Sequence, residues 1–159
     1  MQDFKQEYEK LIKKYNLPSY ENLDEEFELL YIAEICEISR PLSFVRRRIN
    51  DKIGWVCNML QSILQPNPSS LVSMQESAMF SKEQKEECQQ LLKELMYVNR
   101  LSVYLDIDIE EKKNAEYIKT TFTLWKKMKP QISAIAQTLY QGWKENPKKE
   151  HSPSNNYTG

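Results

Sequence analysis

Glycine and histidine are nearly missing from this chain: its 159 residues hold three Gly and one His. Gly54 and Gly142 fall inside helical patterns, Gly159 is the last residue, and His151 lies in a polar tail. Phosphate cradles need clustered glycines so that backbone amides reach the anion, and most acid–base and metal sites draw on histidine. The body of the chain offers neither. A Cys–His or Ser–His nucleophile pair has no base there unless the tail supplies it. Cysteine is scarce as well. Cys36, Cys57 and Cys88 are widely spaced and form no CxxC pair, which excludes a zinc knuckle and a thioredoxin-type motif. All three sit in helical patterns beside apolar neighbours and read as reduced thiols of a cytoplasmic protein. MQDFKQEYEK is too charged for a signal peptide, and no apolar run approaches the roughly 20 residues of a membrane span. Sustained strand alternation is missing too. The stretch 103–109 comes closest, and Asp106 and Asp108 count against it.

What is present is a series of amphipathic helices. Phe4, Tyr8, Leu11, Ile12 and Tyr15 recur at helical spacing, and Pro18 interrupts them. A second segment starts near Ser19, a candidate N-cap, with Leu23, Phe27, Leu30, Tyr31, Ile35 and Ile38 as its stripe; Pro41 is expected to close it. From Leu42 to Gln65 the residues Leu42, Val45, Ile49, Ile53, Val56, Leu60 and Ile63 alternate steps of three and four, a seam for helix packing. A loop of two prolines and cap-type residues follows Gln65, then a short helix over Leu71 to Met79. Ser81 and Gln84 form a capping box that opens a helix to about Leu105, with Cys88, Leu91, Leu92, Leu95, Val98 and Leu105 inward. Asp108 reads as the next N-cap. The last stripe is Ala115, Ile118, Phe122 and Trp125, resumed at Ile132, Ala136, Leu139 and Trp143. Lys129 falls on it beside Pro130, which predicts a kink or break with Pro130 in the first turn of a new helix. The expectation is an all-α, single-domain bundle of five to seven helices over residues 1–145, with a disordered polar tail over 146–159.

Charge is unevenly spread although the net is −1. Residues 1–39 carry 4 basic and 10 acidic side chains, residues 40–52 carry 5 and 1, and residues 118–150 carry 7 and 2. Such a dipole bears on partners and self-association. The acidic pairs Glu25/Glu28 and Glu34/Glu37 have the ExxE spacing of magnesium-binding helical pyrophosphohydrolases, but no ExxD pair follows them, so a solvated acidic face explains them better. Asp106, Asp108 and Glu110 begin like a calcium loop. The sixth and twelfth positions are Glu111 and Tyr117 rather than Gly and Glu, so that motif fails. No metal or other cofactor is expected.

The strongest positive signal is Arg46-Arg47-Arg48 with Lys52. On a helix Arg47 points away from the seam, and Phe44, Trp55 and Met59 lie off the seam beside Arg48. Phe44, Arg47, Arg48, Lys52, Trp55 and Met59 are therefore candidates for a partner-binding strip, because Arg and aromatic side chains dominate binding hot spots and also stack on bases. The opposing reading is a central helix contacted on two sides, its arginines paired with the acidic second helix. Arg46, Lys126, Lys127 and Lys129 are candidates for phosphate contacts, although a pI near 6.0 counts against a dedicated nucleic-acid binder.

The stretches LPSYENLDEEFEL, RRRINDKI and FSKEQKEECQQLLKELM resemble small all-helical proteins of unassigned function from archaeal genomes, over roughly residues 15–145. The resemblance implies a cytosolic helical protein and carries no catalytic residue. Three roles stay open on the sequence. The first is a non-enzymatic cytosolic interaction or adaptor protein that binds a protein partner or itself. The second is RNA or ribosome binding through the basic strips around Arg46–Lys52 and Lys119–Lys149. The third is a metal-dependent hydrolase using the acidic second helix.

Overall fold

The computed structural model describes residues 4–29 and 40–145. Among them are six helices and no strand: α1 (Phe4–Tyr15), α2 (Tyr20–Phe27), α3 (Pro41–Leu64), α4 (Leu71–Ala78), α5 (Lys82–Ile107) and α6 (Glu111–Glu145). The chain is all-α. Leu30, Tyr31, Ile35 and Ile38 of the expected second stripe lie outside the described residues, as do Glu34, Cys36, Glu37, His151 and the tail.

The first stop is set by local chemistry ahead of Pro18. Asn16 takes a left-handed conformation with φ 52°, one that asparagine tolerates, and the Leu17 amide then bonds the Ile12 carbonyl. Ser19 caps α2 by accepting from the Asn22 amide. Glu28 ends that helix in the same left-handed region, with φ 54°. Pro41 opens α3 instead of merely closing what precedes it, because its fixed φ and missing N–H suit the first helical position. The expected capping box is formed: Ser81 Oγ accepts from the Gln84 amide, and Gln84 Oε1 accepts from the Ser81 amide. Asp108 does not start α6. It ends α5, its amide bonding the Tyr104 carbonyl, while its carboxylate pairs with Lys113.

The helix α3 lies in the centre and packs against each of the other five. Every residue of the expected seam, from Leu42 to Ile63, is buried. The break expected at Pro130 does not occur, and α6 runs through it for 35 residues. The stripe passes through Met128 rather than Lys129, keeping its steps of three and four from Trp125 to Ile132, so Lys129 stays exposed instead of entering the core. Tight approach sets the far end. A Cβ on Gly142 would press on the Met79 thioether, so α6 passes close to the segment after α4 here and a larger residue would make that side chain shift.

Candidate interaction surface

The aromatic–basic strip of α3 is divided by what covers it. Phe44 is half-buried and meets the Phe4 ring edge-on at 5.1 Å between centroids. Lys52 donates to the Glu26 carbonyl at 2.7 Å and lies over the Trp125 ring. Among the described residues Arg48 reaches only Asp51, at 3.4 Å, and its buried Nε has no partner there. Met59 packs against the core. Thus α1 and α2 claim one end of the strip. Trp55, on the same side of α3 and further along, is 61 % exposed. Arg47 is exposed too, but it points toward α5, where its Nε bonds Asp106 Oδ1 at 2.9 Å. Among the described residues Arg46 and Arg47 pair with Asp106 of α5 rather than with α2, and Glu34 and Glu37 of the expected acidic partner lie outside the described residues.

Arg46 overturns its expected role as a phosphate contact. It has 0 % exposed surface, and each of its three nitrogens is hydrogen-bonded. Nε bonds Asn114 Oδ1 at 2.7 Å, Nη1 bonds the Ser102 carbonyl and hydroxyl at 2.6 Å each, and Nη2 bonds Asp106. These partners come from α5 and α6, so Arg46 staples three helices together. A buried guanidinium is tolerated when its fork is filled in this way. The Arg46 bond, aided by Arg47, holds the Asp106 carboxyl below the ordinary aspartate range against its partial burial. Lys129 is likewise spent: its Nζ grips both Glu26 oxygens at 2.7 and 2.8 Å, and Trp125 Nε1 bonds the same carboxylate. Burial pushes Glu26 up, and these bonds outweigh it. Lys126 lies over the Phe122 ring, and Lys127 is exposed.

A second surface escaped the sequence reading. The inward stripe of α5 is Leu91, Leu95, Val98, Ser102 and Leu105. On the opposite side Tyr97, Arg100, Tyr104 and Ile107 follow steps of three and four, all exposed, with Tyr97 at 73 % and Ile107 at 83 %. Val103 flanks them, also exposed. The helix therefore has an apolar stripe on two sides while α3 and α6 cover only one. The signal was legible as two tyrosines seven residues apart, out of phase with the leucines.

Chemistry is thin elsewhere. Among the described residues no group of three or more His, Cys, Asp or Glu is placed to hold a metal ion. Cys57 and Cys88 are buried free thiols whose pKa is raised by burial, which disfavours the thiolate. No described helix is long and apolar enough to cross a membrane. Comparison with protein-family models, curated proteins and solved structures found no match.

Proposed function

We propose that this is a non-enzymatic cytosolic interaction or adaptor protein, and that the outward row of α5 is its main contact surface. The observation that carries this reading is the exposure of Tyr97, Arg100, Tyr104 and Ile107 along one helix face. Tyrosine and arginine bring large contact area and directed hydrogen bonds, which is why they are enriched at hot spots. Leaving a Tyr–Tyr–Ile row in water gives the fold nothing, whereas covering it on binding removes apolar surface from water. Trp55 offers a second anchor on another side of the molecule. RNA binding is the rival role. Its support is reduced by the withdrawal of Arg46, Lys52 and Lys129 into intramolecular bonds.

Affinity purification from native lysate tests the reading, with wild type and Tyr97→Ser/Ile107→Ser compared side by side. A set of proteins that resists nuclease and is lost from the variant supports it. Recovery abolished by nuclease, or unchanged in the variant, contradicts it.

A further inference from the structure

The outward row of α5 has a spacing that reads the same from either end: Tyr97, Arg100, Tyr104 and Ile107 follow steps of three, four and three. Such steps make a seam that packs against another helix. We propose that the helix it takes is α5 of a second copy of this chain, antiparallel to the first, about a two-fold axis at the level of Ser102. The inference rests on the reading of this row as the contact surface and names what covers it.

A closed dimer needs a patch that is its own complement. Antiparallel pairing sets Tyr97 against Ile107 of the partner subunit and Arg100 against Tyr104 of the partner subunit. Each end of the seam is then an aliphatic chain on a ring. Each guanidinium lies on a ring nearer the axis, where cation–π attraction and stacking favour it. Arg100 can turn there, since its one hydrogen bond among the described residues is a long one, 3.4 Å, to Asn99 Oδ1. The flanks agree. Exposed Val103 meets Val103 of the partner subunit on one side of the axis, and the partly buried Leu101 meets Leu101 of the partner subunit on the other. A parallel pair would instead press Arg100 against Arg100 of the partner subunit, like charges in a closing seam. A foreign helix would have to bring an aromatic or acidic group to Arg100 and aliphatic groups to the two tyrosines, whereas this row carries its own complement. Past Tyr97, Lys93 and Glu94 come to the 108–111 turn of the other copy, where Lys113 already bonds Asp108 and Glu110. Charges of both signs meet there, so the apolar row and the two Arg–Tyr contacts set the affinity.

Sedimentation equilibrium of the full chain tests this. We expect a monomer–dimer equilibrium that persists at about 1 M salt, where the screening length is about 3 Å. Tyr97→Ser/Ile107→Ser should weaken it roughly thirtyfold or more, and Arg100→Ala several-fold. Tyr140→Ser removes an exposed tyrosine from α6 and should change nothing. Circular dichroism checks that each variant keeps its helices. Direction is read by oxidising an equimolar mixture of size-tagged Tyr97→Cys and Ile107→Cys chains beside a wild-type control, and the mixed disulfide should form ahead of either self-linked dimer. The proposal is overturned by a chain that stays monomeric at about 100 μM, by a dimer indifferent to Tyr97→Ser/Ile107→Ser, or by Tyr97→Cys linking to itself as readily as to Ile107→Cys. A monomer whose lysate partners are still lost from the double variant refutes the second copy alone. A row that carries neither dimer nor lysate partner refutes the contact-surface reading as well.

Discussion

Arg46 keeps a full charge with no exposed surface, and its value to the fold lies in the bonds that fill its fork. Arg46→Ala removes these bonds and leaves a cavity and an unpaired Asn114 oxygen between three helices. We expect a loss of about 3 kcal/mol in chemical denaturation. Arg47→Ala, which removes only a surface pair, should cost about 0.5 kcal/mol or less. Equal losses would mean that the buried staple contributes no more than a surface contact. Asp106 links the same network to pH. Its folded pKa is lowered, so the unfolded chain binds the proton first as pH falls. Its stabilising contribution is complete above the ordinary aspartate range near 4 and is lost as pH falls through the lower folded value. Glu26 acts in the same direction. Denaturation midpoints at pH 6 and pH 3 should therefore differ more in wild type than in Asp106→Asn. An identical drop in both would remove Asp106 from the acid response.

Pro130 is the clearest local conflict within a helix. It stands inside α6, and its missing N–H leaves the Lys126 carbonyl without the usual helical donor. Packing of Met128, Ile132 and Ile135 on either side holds the helix together across it. Pro130→Ala should then stabilise the protein by about 1–2 kcal/mol, the gain in helix propensity exceeding the added freedom of the unfolded chain. Thermal unfolding reads this as a rise of several degrees, and a fall in midpoint would mean that the proline itself supports α6. The helices and their inward faces were legible from spacing alone. The Leu42–Ile63 seam and the Ser81–Gln84 box reappear in three dimensions because burial and capping are local consequences of periodicity. The break at Pro130 was misread because tertiary packing overrides propensity, a term the local pattern lacks. The α3 strip was only half legible. Which of Phe44 and Trp55 stays exposed depends on how far α1 and α2 reach, and that is a fact of assembly.

Taken together, the helices explain why an acidic–basic dipole need not drive self-association. Glu26 of the acidic N-terminal segment and Lys129 of the basic C-terminal segment meet across 103 residues, so the two segments pair at this point within one chain. Among the described residues the outer face of α5 leaves Tyr97, Val103, Tyr104 and Ile107 exposed. A partner surface and a folding surface respond oppositely to truncation. A hot-spot residue loses affinity and keeps stability, whereas a core residue loses roughly 3–5 kcal/mol of stability. The decisive measurement is therefore a titration of a purified partner against wild type and Tyr97→Ala/Ile107→Ala, with a denaturation curve on each. We expect affinity to fall at least thirtyfold, equivalent to about 2 kcal/mol, while stability changes by less than about 1 kcal/mol. Undiminished affinity, or a loss of stability of core size, would contradict the assignment of α5 as the contact surface.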